Sequence, residues 1–196
     1  MNTSNEINSI QKVETDVSHW IEDHKENVIE FLQELIRVPS INPWFQPKPE
    51  ESREAEVQAV IANRMQALGA EVNTWEPNAK DLSKYEGRPG YYADHVFVGR
   101  PNQAAVLKGS GGGRSMLLTG HVDVVPAGSG WTVPPFAAER RDGVIYGRGT
   151  VDMKGGIAAM IMAVEAIINS GYRLRGDVTV GTVVDEEAGG MGTLDF

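Results

Sequence analysis

The chain has 196 residues, 18 of them Lys or Arg and 27 Asp or Glu, so its formal charge is −9 and its pI is near 4.9. That balance excludes a binder of the nucleic-acid backbone, which needs a basic face, while 41% hydrophobic and 23% charged residues describe a folded globular chain. With no cysteine, disulfides, thiolate metal sites and a Cys nucleophile are excluded, leaving His, Asp and Glu as metal ligands.

Met1 to Val13 is polar without a clear period, and residues 1–17 are expected to form a flexible terminus. From Ser18, a candidate N-cap, Ile21, Val28, Phe31, Leu32 and Leu35 share one helical face until Pro39 stops the helix. A proline-rich turn with Pro43, Pro47 and Pro49 follows. Ser52 then opens a second helix, with Val57, Val60, Ile61, Met65 and Leu68 along one side and Gly69 as its stop. Glu71 to Trp75 reads as a strand. The segment 76–103, punctuated by Pro77, Gly87, Pro89, Gly90 and Pro101, is too long for an ordinary connection and is expected to run over the surface, His95 with it.

Two adjacent strands are expected at Ala104 to Lys108 and Ser115 to Thr119, separated by a turn at Gly109 to Gly113. Phe136 to Arg141 and Val144 to Gly147 flank Asp142-Gly143, a dipeptide that suits the positive φ angles of a tight hairpin. Asp152 to Ser170 carries Ile157, Met160, Ile161, Val164, Ile167 and Ile168 at helical spacing, and Gly171 ends it. Asp177 to Val184 follows as a Val-rich buried strand. Alternating strands and helices predict a three-layer α/β sandwich: a central sheet, mixed because of the hairpin, flanked by helices. The longest apolar runs fall far short of the roughly 20 residues that cross a bilayer, and no signal pattern opens the chain, which therefore reads as cytoplasmic, without a membrane or nucleic-acid partner.

Polar clusters stand where three strands should end: His121-Val122-Asp123, Asp152, and Asp185-Glu186-Glu187. Ligand sites of α/β sheets gather at such carboxyl ends. In an extended His121-x-Asp123, Asp123 can take the proton of one imidazole nitrogen while the other binds a metal; the plainer reading is a surface His beside an unrelated Asp. Asp152, alone, would be an ordinary helix N-cap. The glycines of Gly147-Arg148-Gly149-Thr150-Val151-Asp152-Met153-Lys154-Gly155-Gly156 point instead to unusual dihedrals or close backbone approach. A phosphate loop is excluded, because Lys154 is followed by Gly155 rather than Ser or Thr. Adjacent Glu186 and Glu187 should point in different directions, one to a metal and the other to water; alone they would be a solvated acidic turn. Together, one His and several acids at three strand ends suggest an oxygen-rich metal site.

These blocks, with Val38-Pro39-Ser40 and Trp131 to Phe136, resemble the zinc hydrolase family of acetylornithine deacetylase, succinyl-diaminopimelate desuccinylase, aminoacylase and carboxypeptidase G. The resemblance implies two divalent ions, zinc by preference and otherwise cobalt or manganese, with His121 on one, Glu187 on the other and Asp152 bridging. It further implies Glu186 as general base, Asp123 as the partner of His121, and small N-acyl amino acids such as N-acetylornithine, or short peptides, as substrates. Family members run to about twice this length, adding a later acidic ligand, a dimerisation or lid domain and a late histidine. The expectation is therefore that residues 18–196 form the N-terminal part of a catalytic domain, with weak metal binding and little hydrolysis by this chain alone. Homodimerisation would belong to full-length relatives. A catalytically silent binding or assembly module is the alternative.

Overall fold

A computed structural model describes residues 3–46, 48 and 51–196; Pro47 and Pro49 of the proline-rich turn lie outside these. Helix α1 (Thr3–Asp23) and helix α2 (Lys25–Arg37) replace the single helix expected from Ser18, with a break at His24, whose ring stacks on Trp20 at 4.1 Å. Helix therefore runs through part of the segment expected as a flexible terminus. The reason is tertiary: half-buried Val13, Asp16, Val17 and Trp20 recur at helical spacing, and Asp16 accepts a hydrogen bond from the Tyr172 hydroxyl at 2.5 Å.

Helix α3 (Glu54–Ala67) leads into strand β1 (Glu71–Trp75). The long connection carries a one-turn helix α4 (Ala79–Leu82) before β2 (Asn102–Leu107) and β3 (Met116–His121). The hairpin is formed by β4 (Glu139–Arg141) and β5 (Val144–Tyr146), with Asp142 at φ 50° and Gly143 at φ 80° as its turn chemistry requires. Helix α5 (Gly155–Asn169), strand β6 (Val178–Val183) and helix α6 (Met191–Asp195) complete the chain.

The main sheet has the order β1-β2-β6-β3, antiparallel except for the parallel β3–β6 pair. It is mixed as expected, but for a different reason. The β4–β5 hairpin forms a separate two-stranded sheet, and the parallel strand is β3. Nor are β2 and β3 adjacent, because β6 inserts between them. The glycine-rich 109–113 turn crosses the entry to β6, where Gly109 N donates to Asp177 Oδ1 at 2.9 Å, and a Cβ on Gly109 would stand 2.5 Å from the Gly176 backbone.

The core lies between the sheet and α3 and α5. Val57, Ile61 and Met65 join Ile157 and Ile161 over Ala105 and Val180, all buried. Arg64 of α3 ties the two helices by donating to Glu165 of α5 at 2.7 and 3.0 Å. On the opposite face Phe196 packs against the Gly181 position. Along the edge strand β3, Met116 and Leu117 are more than half exposed. Between this edge and α5 lies a cavity of about 750 Å³ lined by Leu118, Met160, Val164 and Ile167. Among the described residues, no helix is long and apolar enough to cross a membrane.

Candidate metal centre

The ends of β3 and β6 and two turns build the site. His121 is the last residue of β3, and the chain continues extended through Val122 and Asp123 beside Ser40 to Asn42. Val124 N donates to Ser40 O at 3.0 Å, Asn42 N to Val124 O at 2.9 Å, and Ser40 Oγ to Val122 O at 2.6 Å. The segment that follows α2 thus becomes a wall of the site.

Asp152 stands in a wide turn, Thr150–Lys154, preceded by Gly149 at φ 82°; a Cβ there would lie 2.6 Å from Val124 Cγ1. Asp152 is extended (φ −121°, ψ 100°), the Asp152–Met153 peptide is cis, and α5 begins only at Gly155. The helix-cap reading of Asp152 therefore fails, and its carboxylate is left 74% exposed at the surface of the site. Lys154, fully buried, donates from Nζ to Leu35 O at 2.9 Å and Val38 O at 2.7 Å, fastening the end of α2 under the turn.

The third contribution follows β6. Asp185 adopts φ 70°, and the N–H groups of Glu186 and Glu187 donate to Asp123 Oδ1 at 3.2 Å and Oδ2 at 3.1 Å. The structure brings His121, Asp152 and Glu187 together, with one ligand atom of each lying within 4.8 Å of the others. His121 Nε2 is 3.0 Å from Asp152 Oδ1 and 3.6 Å from Glu186 Oε2. On the other side of the ring the geometry departs from the expected His–carboxylate pair. His121 Nδ1 is 3.0 Å from the backbone carbonyl of Asp123, whose carboxylate stands off at 3.5 Å. That carboxylate is turned toward the two glutamate N–H groups and toward Asn42 Nδ2, which donates to it at 2.7 Å.

Burial works against the charge of His121, but Asp123, Asp152 and Glu186 outweigh it and push the imidazole up to about 9. Asp123 is buried too, yet His121 and Asn42 hold its carboxyl below the usual range. Burial, with Asp152, Asp123 and Glu186 nearby, raises that of Glu187. An excess of negative charge around one imidazole, with two of the carboxylates accessible, is the electrostatic environment of a cation site, and one nitrogen with carboxylate oxygens suits zinc, cobalt or manganese.

Four contributors escaped sequence reasoning. Asn42, whose Oδ1 caps the Pro43–Phe45 turn by accepting from Trp44 N, also links Asp123 to Asp185; its Asn-Pro context signalled only the turn. Glu54, Arg100 and His95 are buried around Asp185. His95 is thus not a surface residue, although the segment carrying it does run outside the sheet. No local periodicity marked these residues, because their partners are tens of positions away.

The profile of Peptidase family M20/M25/M40 matches residues 117–196. Residues 117–196 belong to this family. The M20/M25/M40 segment contains His121, Asp123, Asp152, Glu186 and Glu187. Over most of its length the chain is 34% identical, across 177 residues, to N-formyl-4-amino-5-aminomethyl-2-methylpyrimidine deformylase of Halalkalibacterium halodurans, covering 88% of this chain and 36% of that protein. It is 38% identical over 156 residues to succinyl-diaminopimelate desuccinylase of Gluconacetobacter diazotrophicus, covering 79% and 34% respectively. Human carnosine dipeptidase 1 superposes with a TM-score of 0.74 at 27% identity, over 90% of this chain and 35% of its own. The chain thus spans about a third of the length of these relatives.

Proposed function

We propose that this chain carries the cation-binding and proton-transfer residues of an amide hydrolase of the deacylase or peptidase type. The observation that supports it is the convergence of His121, Asp152 and Glu187 within 4.8 Å, with the half-exposed carboxylate of Glu186 beside them. In this reading His121, Asp152 and Glu187 would hold the divalent ions. When bound, such ions polarise an amide carbonyl and acidify water.

The chain's own residues supply the rest. Asp123 acts as an anchor: through its backbone carbonyl it orients the His121 ring, and through its carboxylate it holds the backbone of Glu186 and Glu187. Glu186 Oε2 takes a proton from the attacking water and delivers it to the departing amine, so that amide and water become carboxylate and amine. The chemistry needs no covalent intermediate on the protein, consistent with a chain that lacks cysteine.

The substrate class we infer is a small N-acyl amino acid, N-acetylornithine among the candidates, or a short peptide. Relatives named as a deformylase, a desuccinylase and a dipeptidase support the class and leave the acyl group open. The test pairs zinc calorimetry with hydrolysis of N-formyl, N-acetyl and N-succinyl amino acids and dipeptides. Glu186→Gln should retain zinc binding and lower whatever turnover the chain shows by about 10²-fold or more. His121→Ala should lose zinc. Equal zinc binding by wild type and His121→Ala would overturn the reading.

A further inference from the structure

The connection between β1 and β2 sends two side chains inward, His95 at 5% and Arg100 at 6% exposure. Both reach Asp185, the residue before the Glu186-Glu187 pair. His95 Nδ1 is 2.8 Å from Asp185 Oδ2, and Arg100 Nη2 donates to Asp185 Oδ1 at 3.1 Å. Arg100 is itself held by Glu54, to which Nε and Nη2 donate at 2.5 and 3.0 Å. The His95 ring lies against Tyr92, stacked at 5.0 Å, and Trp44 at 4.5 Å. Neither His95 nor Arg100 hydrogen-bonds to the His121, Asp152 or Glu187 side chains.

What they grip is the hinge of the site. Asp185 is fully buried and has a positive φ of 70°, uncommon for a residue with a Cβ although Asp tolerates it better than most. That conformation turns the chain out of β6 so that two successive N–H groups, of Glu186 and Glu187, meet the carboxylate of Asp123. Asn42 completes the frame, its Nδ2 lying 2.7 Å from Asp123 and 3.4 Å from Asp185. The Asp185 side chain is thus tied at both carboxylate oxygens, while its backbone carbonyl accepts from Gly190 N at 2.6 Å.

We propose that His95 and Arg100 are positioning residues that, by clamping the Asp185 carboxylate, set the placement of Glu186 and Glu187 and thereby the cation affinity of the His121, Asp152 and Glu187 cluster. This rests on the reading of that cluster as a cation site. It makes a segment outside the sheet, 92–100, a determinant of the centre's order.

Two measurements separate the clamp from the site. In the first, zinc calorimetry and the visible spectrum of added Co²⁺ are compared for wild type, His121→Ala, His95→Ala, His95→Asn and Arg100→Lys. His95→Ala should bind about 10-fold to 100-fold more weakly, with an altered cobalt spectrum. His95→Asn, which keeps a nitrogen donor near the Nδ1 position, should recover most of the affinity and folds if His95→Ala does not. If wild type binds and His121→Ala does not, but His95→Ala and Arg100→Lys match wild type, or His95→Asn is as weak as His95→Ala, the clamp is refuted. The second measurement is hydrogen exchange of the Glu186 and Glu187 amides in metal-free chain. His95→Ala should accelerate it at least 10-fold and His95→Asn should not. Unchanged exchange in His95→Ala refutes the clamp whatever the metal result, whereas absent zinc binding in wild type with accelerated exchange removes only the cation reading.

Discussion

At the scale of single residues, the site is organised by side chains whose partners are backbone groups. Asp123 receives the N–H groups of Glu186 and Glu187, and Lys154 gives its protons to the carbonyls of Leu35 and Val38. Burial pushes the Lys154 ammonium down to about 7, so its place under the Asp152 turn is maintained against a desolvation cost by two short hydrogen bonds. Lys154→Met, close in volume and without donors, should destabilise the chain by about 1–3 kcal/mol, measurable as a lower urea midpoint. The glycine-rich block of residues 147–156 announced such a turn, and Gly149, at φ 82° against Val124, shows why a side chain is excluded there. The buried role of Lys154 had no local signal, since its acceptors lie 116 and 119 residues away.

At the scale of elements, packing onto the sheet decided what the periodicity left open. Helices α3 and α5 show the apolar spacing from which they were expected, and both end close to Gly69 and Gly171. Ile161 of α5 is fully buried and belongs to the same core cluster as Val57, Ile61 and Met65 of α3 and Val180. Ile161→Ala should cost about 2–5 kcal/mol by chemical denaturation. Ile10, 58% exposed on α1, provides the contrast, and its truncation should stay within about 0.5 kcal/mol. Strand order lies beyond element-level reasoning. The alternation of β2 and β3 with a glycine turn suggested neighbours, whereas the turn in fact arches over the start of β6 and lets that strand enter between them.

At the scale of the molecule, a buried ionic cluster joins α3, the β1–β2 connection and the β6 turn. Glu54 faces Arg100 and Ser52, with Asp123 and Asp185 beyond. Burial pushes its carboxyl up to about 7 even though Arg100 opposes the shift. The folded chain then binds this proton more tightly than the unfolded chain does, so between about pH 4.5 and 7 the folded state carries more of it. Stability from this group is present below the unfolded value and falls as pH rises through 7, by on the order of 3 kcal/mol. Unfolding free energies measured from pH 4.5 to 8 should decline on account of Glu54, and Glu54→Gln should flatten that part of the profile. An unchanged slope in the variant would contradict the assignment.

The amino-acid sequence by itself pointed to the residues of the candidate site and to most of the main helices and strands, because glycine punctuation and apolar periodicity act over a few positions. His121, Asp152 and Glu187 stood out as a candidate cluster before any contact was known, and the structure brings them together. Only the tertiary structure decided that the hairpin stands apart and that β6 separates β2 from β3. It also decided that His95 and Arg100 turn inward to hold Asp185, 90 and 85 residues away. Such pairings are settled by which buried charges find partners when the sheet and its helices close. That is a property of the assembled core, and no short stretch of the chain contains it.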